Sequence, residues 1–166
     1  MNLTTTQLRE VKLLEGFTDA ELHALVQGGE ILTFEAHASI VIEGEPSGGF
    51  YLLLEGQAGI YKLNRASGDI HEVSQIRAGQ SFGEMSLIDD APRSATVQAL
   101  TPCKAFHLPR PAFIAFLQQN QRMKCEFYER CVLDLSKRLR DLDDHYVTNQ
   151  YQLWKVALKG EGKKAS

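Results

Sequence analysis

Hydrophobic positions near the N terminus recur every three or four residues. Leu8, Val11 and Leu14 follow this spacing in a first segment, and Leu22 and Leu25 follow it in a second. A Thr-x-x-Glu capping box precedes the second segment, and two glycines follow it. A capping box typically begins a helix and a glycine typically ends one. The pattern therefore predicts N-terminal helices within residues 4–28.

Between residues 30 and 108 the period changes, and short apolar or alternating runs are separated by turn residues. Seven runs are predicted to be strands: 31–34, 40–42, 50–54, 59–63, 70–76, 95–100 and 103–108. No helical pattern alternates with them. Many short strands without intervening helices indicate an antiparallel jelly-roll β-barrel. Because helical patterns flank this region, the predicted fold class is α+β.

The last third of the chain returns to helical spacing. A short helix is predicted from residue 110 to about Asn120, and a longer one from Gln121 to His145, about 37 Å long if unbroken. The long helix carries a nearly continuous apolar stripe: Met123, Phe127, Tyr128, Cys131, Val132, Leu135, Leu139 and Leu142. We expect this helix to cover one end of the barrel and to offer its remaining face to a second copy, which predicts a homodimer through residues 121–145. The alternative is core packing along its whole length.

These elements define the expected domain organisation. Residues 1–145 form one domain, with N-terminal helices 4–28, a β-roll 30–108 and C-terminal helices 110–145, and residues 146–166 form a short extension with a polar tail. About 40 residues are needed for an independently folded unit. We therefore expect no DNA-binding domain and no direct binding to DNA.

Composition narrows the class of protein. The chain has 166 residues, of which 43% are hydrophobic and 23% charged, and its net charge is −3. This balance argues against binding nucleic acid by bulk charge. No apolar run is long enough to cross a membrane, and the N terminus lacks a signal-peptide core, so a cytoplasmic location is expected. Cys103, Cys125 and Cys131 lack metal-site spacing and are expected to be buried hydrophobic residues.

One segment, residues 82–97, contains the candidate ligand-binding residues. It predicts a strand end, a glycine, about one helical turn, a tight turn, and an arginine that enters a new strand. Gly83 allows the backbone to approach a ligand closely, and the first turn exposes unpaired N–H groups. Arg93 adds a planar, permanently charged fork that matches a phosphate, and the Glu84 carboxylate accepts hydrogen bonds from paired sugar hydroxyls. Phosphate, sugar and an apolar wall together indicate a nucleotide.

The same two side chains have a simpler structural interpretation. Glu84 would then only cap its helical turn, and Arg93 would only pair with it or with Asp89. The sequence contains no HExxH, GxSxG, P-loop or GxGxxG motif, and no clustered metal ligands. We therefore expect neither an enzyme nor a metal site.

The ordered set of motifs resembles the cyclic nucleotide-binding domain family. The likeness covers roughly residues 17–145 and includes Gly44-Glu45 after the second predicted strand and Gly56 after the third. The match to that family's phosphate-binding cassette comprises Phe82, Gly83, Glu84, Met85, Ser86, Leu87, Pro92, Arg93, Ser94 and Ala95.

The resemblance implies specific roles for these residues. Arg93 would pair with the exocyclic oxygens of a cyclic phosphate, and Glu84 would accept a hydrogen bond from the ribose 2′-hydroxyl. Backbone groups of Gly83, Ser86 and Leu87 would complete the cradle. The side chain at position 94, a serine, would touch the phosphate or the base. Candidates for capping the base lie on the long helix: Arg138, Leu139, Arg140 and Leu142.

The resemblance further implies a stand-alone regulatory module without a cofactor. It would bind cAMP in preference to cGMP and act on an unidentified downstream protein through movement of its long helix. Residues 136–140 lack the Thr-Ser pair with which members of the family read adenine, so cGMP stays open as a ligand. Two other functions stay open: a β-roll scaffold that dimerises without a ligand, and a sensor of a different small ligand such as haem.

Overall fold

The computed structural model describes residues 5–9, 11, 14–89 and 91–161. Two helices come first, α1 (Thr5–Arg9) and α2 (Asp19–Gln27). The strands are β1 (Glu30–Phe34), β2 (Ser39–Val41), β3 (Gly49–Glu55), β4 (Gln57–Leu63), β5 (Ile70–Arg77), β6 (Ser81–Phe82), β7 (Thr96–Ala99) and β8 (Cys103–Pro109). A 3-10 helix, Glu84–Leu87, lies between β6 and β7, and α3 (Arg110–Gln119) and α4 (Gln121–Glu161) follow β8.

The strands form two antiparallel sheets of four strands each. The first sheet has the order β1-β8-β3-β6 and the second has the order β2-β7-β4-β5. This confirms the predicted α+β fold with a jelly-roll arrangement of strands and flanking helices. The two sheets are not joined into a closed barrel in the described part of the chain. All seven predicted strands are present, and the two-residue strand β6 is additional.

The core lies between the two sheets because each strand directs alternate side chains inward. The first sheet contributes Leu53 and Ala105, and the second contributes Ala58, Val97 and Ala99. Cys103 and Cys131 are buried, as expected, whereas Cys125 is exposed. The expectation that all three cysteines are buried was therefore wrong at one position.

The capping box at the start of α2 forms as predicted. Thr18 Oγ1 accepts a hydrogen bond from the Glu21 backbone N–H at 3.3 Å, and the Glu21 carboxylate accepts one from the Thr18 N–H at 2.7 Å. The first helix is shorter than predicted, since α1 ends at Arg9. Leu8 and Leu14 are nevertheless both buried, so the apolar spacing identified the buried side of this segment correctly. The predicted start, Thr4, lies outside the described residues.

The chain divides into two compact units, Met1–Cys125 and Glu126–Ser166. Helix α4 begins in the first unit and makes up the described part of the second. It continues to Glu161, so its predicted end at His145 was wrong. Residues 146–161 extend the helix and are not an irregular extension, while the end of the predicted tail, 162–166, lies outside the described residues. Of the helices in the described ranges, none is long and apolar enough to cross a membrane.

Candidate functional site

The cassette predicted from the sequence forms a compact turn between the two sheets. Strand β6 ends at Phe82, and Gly83 follows with a left-handed backbone (φ +80°). The 3-10 helix then begins at Glu84, and Leu87 anchors it in the core with only 2% of its surface exposed. A left-handed residue is needed here because the chain must reverse between the strand and the helix, which favours glycine.

The Gly44-Glu45 turn fixes the backbone of Arg93. The Arg93 N–H donates to the Glu45 carbonyl at 2.9 Å, and the Gly44 N–H donates to the Arg93 carbonyl at 2.9 Å. These two hydrogen bonds join the turn after β2 to Arg93, near the end of the cassette. The family-like Gly-Glu motif thus has a physical role: it sets the position from which the arginine side chain extends.

The Arg93 side chain turns inward and is 7% exposed. Its Nη1 atom lies 2.6 Å from the point where a Cβ on Gly83 would be, and its Cζ atom lies 5.5 Å from the centre of the Tyr51 ring. A guanidinium above an aromatic face is stabilised by the ring quadrupole. Glycine at position 83 and tyrosine at position 51 therefore hold a buried cation at the start of the 3-10 helix.

Burial shifts the pKa of both members of this pair. Burial lowers the pKa of Arg93, and the adjacent Tyr51 hydroxyl partly offsets this decrease. Burial also raises the pKa of Tyr51. A guanidinium stays charged in proteins under all ordinary conditions. Since a charge that has lost part of its hydration interacts more strongly with an opposite charge, the site is suited to an anion.

The remaining cassette residues differ in their exposure. Glu84 is half-buried at the first position of the 3-10 helix, and Met85 beside it is 42% exposed. Pro92 and Ser94 are exposed, and Ala95 is half-buried. The backbone of Ser86 lies within the 3-10 helix, but its side chain lies outside the described residues. The roles of these residues toward a ligand stay predictions.

The four candidates for capping the base lie on α4, within the second unit. All four are exposed: Arg138, Leu139, Arg140 and Leu142. The Nε atom of Arg138 pairs with the Asp134 carboxylate at 2.8 Å along the helix. Their role toward a base also stays a prediction.

Two residues near the cation were not singled out as site residues by the sequence. They are Tyr51 of β3 and His107 of β8. In the structure they are paired across β3 and β8, and their rings stack with centres 4.5 Å apart. The two residues meet only through the register of β3 and β8. That register is not predictable from the local sequence.

A cavity of about 610 Å³ includes Gly44 and residues of the second sheet in its wall. Its wall includes Thr96 and Gln98, which alternate along β7 with the core residues Val97 and Ala99 and therefore lie on the opposite face of the second sheet. No cassette residue lines this cavity. It does not coincide with the nucleotide site predicted from the sequence.

Comparison with known families agrees with the fold. The model of the cyclic nucleotide-binding domain matches residues 31–120, which include both the cassette and the strands around it. The chain belongs to the cyclic nucleotide-binding domain family.

Two proteins with sequences similar to this chain are protein kinase regulatory subunits. It is 38% identical over 107 residues to a cAMP-dependent protein kinase regulatory subunit of Colletotrichum orbiculare, covering 64% of this chain and 26% of that protein. It is 33% identical over 143 residues to the corresponding subunit of Mucor circinelloides f. lusitanicus, covering 86% of this chain and 30% of that protein. The chain thus spans less than a third of the length of these relatives.

One solved structure has a fold similar to that of this chain. The regulatory domain of Toxoplasma gondii protein kinase A, crystallised with cAMP, has a TM-score of 0.64 and 27% identity to this chain. The match covers 68% of this chain and 42% of that one. The chain therefore shares the fold of that domain.

Proposed function

We propose that this protein binds a cyclic nucleoside monophosphate in the cassette and acts as a regulatory module. The observation that carries the proposal is the buried guanidinium of Arg93, fixed by its backbone to Gly44 and Glu45 and by its side chain to Gly83 and Tyr51. A buried cation aimed at the start of a short helix matches the single negative charge of a cyclic phosphodiester.

The other cassette residues complete the proposed recognition. Glu84 begins the 3-10 helix next to Gly83, and its proposed role is to accept a hydrogen bond from the ribose 2′-hydroxyl through its carboxylate. Backbone groups of Gly83, Ser86 and Leu87 surround the phosphate. We favour cAMP over cGMP because the related proteins are named for cAMP. The candidates for capping the base are the residues of α4 from Arg138 to Leu142.

The output of the module is proposed to be mechanical and not catalytic. Ligand binding would join the cassette to α4 and shift the helix between two arrangements, which a downstream protein reads. This output needs no cofactor and no contact with DNA or a membrane. A cytoplasmic location stays a prediction.

The exposed face of α4 supports a homodimer. Five apolar residues follow one another at alternating spacings of three and four: Val132, Leu135, Leu139, Leu142 and Tyr146. All five are exposed in the single chain. This is the heptad spacing of a two-stranded coiled coil, in which the apolar positions of one helix pack between those of another.

Charges beside this stripe favour a parallel arrangement of two copies. With Val132 and Leu139 at position a of the heptad, Arg138 takes position g and Asp143 takes position e of the following heptad. In a parallel coiled coil, position g of one helix faces position e of the next heptad in its partner. Arg138 of one copy would therefore face Asp143 of the other, with opposite charges.

Thermal unfolding with added nucleotides tests the ligand. The protein is unfolded and refolded first, so that any bound nucleotide is removed, and is then heated with cAMP, cGMP or AMP. A ligand at 100 times its Kd stabilises the folded state by about 2.7 kcal/mol. A shift with a cyclic nucleotide that is absent with AMP supports the proposal and identifies the base. Dimers that no nucleotide stabilises would instead support the scaffold function.

A further inference from the structure

Four side chains form a row across the first sheet, one on each strand. The strand register places Glu30 of β1 opposite His107 of β8, His107 opposite Tyr51 of β3, and Tyr51 opposite Phe82 of β6. The rings of His107, Tyr51 and Phe82 are stacked, with neighbouring centres 4.5 and 5.0 Å apart. Phe82 immediately precedes Gly83, so the row ends at the cassette.

The His107 ring lies on the inner face of the sheet. It follows the core residues Cys103 and Ala105 at intervals of two along β8, and only 14% of its side chain is exposed. Neither ring nitrogen has a hydrogen-bond partner among the described residues, although both are shielded from solvent. The Nδ1 atom lies 3.5 Å from the Glu30 carboxylate, which is itself largely exposed. A buried imidazole with two unused nitrogens requires an explanation, because such groups are normally satisfied.

The other ring nitrogen, Nε2, lies near the guanidinium of Arg93. A Cβ built on Gly48 would lie 4.0 Å from His107 Nε2 and 3.8 Å from Arg93 Nη2. Both nitrogens therefore lie beside Gly48. An anion that accepted a hydrogen bond from each of these nitrogens would satisfy Nε2, which has no partner among the described residues. Tyr51 contacts both residues. Its ring stacks on the imidazole of His107, and the guanidinium of Arg93 lies over the same ring.

We propose that His107 is a second anion-binding residue of the cassette, which makes nucleotide affinity increase as the pH falls. This inference rests on the proposed function, since the anion is the cyclic phosphate held by Arg93. In its neutral form the imidazole offers at most one donor to the phosphate. In its protonated form it adds a positive charge and donates through both nitrogens, to the Glu30 carboxylate on one side and to the ligand on the other.

The direction of the effect follows from the charges around the ring. In the part of the chain that the structure describes, three titratable or charged groups lie near the ring: Glu30 on β1, Tyr51 on β3 and Arg93 beyond Gly48. A bound phosphate adds a negative charge, which attracts the proton of a nearby imidazolium. Binding of the anion therefore favours protonation, and by linkage protonation strengthens binding. Histidines change charge between about pH 5 and 8, whereas a cyclic phosphodiester keeps one negative charge throughout that interval.

The test is the Kd for cAMP and for cGMP, measured by calorimetry at pH 5.5 and at pH 8. We expect the wild-type protein to bind about 3- to 30-fold more tightly at pH 5.5, the range that one added charge at this distance gives when partly screened. His107→Gln, which cannot be charged, should show the same Kd at both values. In addition, the NMR titration midpoint of the His107 ring should rise when the nucleotide is bound.

Matched variants separate the outcomes. His23→Gln changes an exposed histidine on α2 and should keep the pH dependence of the wild type. His107→Phe keeps a stacking ring without a titrating group, so it controls for packing against Tyr51. If the wild type binds with a Kd that does not change with pH, or if His107→Gln keeps the dependence, the role of His107 is wrong and the nucleotide site stands. If neither cyclic nucleotide binds at either pH, the proposed function itself fails, and this inference fails with it.

Discussion

The guanidinium of Arg93 occupies the space that a side chain on Gly83 would need. An added Cβ would lie 2.6 Å from Nη1 and 2.8 Å from the Gly49 carbonyl oxygen, closer than such atoms can approach. The guanidinium of Arg93 can therefore keep this position only while residue 83 is a glycine. The position of the charge depends on the absence of a side chain ten residues earlier in the sequence.

Gly83→Ala should remove nucleotide binding without unfolding the protein. The alanine would force Arg93 away from its position, and a displacement of about 1 Å can cost on the order of 100-fold in a positioned interaction. The left-handed backbone adds a stability cost of about 1–2 kcal/mol. Calorimetry with cAMP and urea unfolding measure the two effects.

Gly68→Ala is the matched control for that change. Gly68 has nearly the same backbone angle (φ +81°), but no atom lies within 4 Å of an added Cβ. It should lose similar stability and keep the wild-type Kd. Equal binding by the two variants would show that Gly83 does not position the site.

Arg93→Gln should weaken binding of a cyclic nucleotide by about 10- to 150-fold. The change removes a charge-assisted hydrogen bond of about 1.5–3 kcal/mol to the phosphate. Arg65→Gln, which changes an exposed arginine in the β4–β5 turn, should bind as the wild type does. A Kd that is unchanged in Arg93→Gln would place the phosphate elsewhere.

Val132→Lys should convert the proposed dimer to a monomer. Val132 is 61% exposed and occupies a heptad position, so a lysine there would put two like charges at the interface. Leu133→Lys changes the neighbouring residue, which is 63% exposed but lies outside the stripe, and should leave the dimer intact. Sedimentation equilibrium distinguishes the two species. A wild-type protein that is monomeric at high concentration would contradict the dimer.

Glu21 should make stability depend on pH below neutrality. Its carboxylate accepts hydrogen bonds from Thr18, from Asn120 at 2.9 Å and from Arg122 at 2.7 Å, so it joins α2 to the start of α4. Burial raises the pKa of Glu21, but the hydrogen bonds from Thr18 and Arg122 outweigh this effect, and the net pKa is lowered. A carboxyl group whose pKa is lower in the folded state stabilises the protein above its unfolded pKa, and this contribution is lost as the pH falls through the folded value.

Urea unfolding between pH 7 and pH 3 checks this expectation. The free energy of unfolding should fall more steeply with decreasing pH in the wild type than in Glu21→Gln, since the glutamine has no proton to gain. Glu35→Gln, an exposed residue after β1, should follow the wild-type curve. Parallel curves for the wild type and Glu21→Gln would show that the carboxylate makes no pH-dependent contribution.

Local signals in the sequence predicted much of this molecule. The Thr18 capping box, the alternation within the strands and the turn around Gly83 depend on neighbouring residues alone, and each is present in the structure. The stacking of His107 on Tyr51 was not predictable in this way, because their positions are 56 residues apart and meet only through strand register. The true end of α4 was also missed. The polar and aromatic residues after His145 suggested an extension, yet no proline interrupts the helix.

The two hydrogen bonds between Arg93 and the Gly44-Glu45 turn have a practical consequence for protein engineering. A peptide inserted at that turn would displace the arginine backbone, so its length is constrained by the ligand site. The β4–β5 turn differs, because it closes on itself through bonds from the Asn64 N–H to the Asp69 carbonyl and from the Gly68 N–H to the Asn64 carbonyl. A fluorescent reporter for the nucleotide-bound state should therefore be grafted at residues 65–68 and kept out of 44–45.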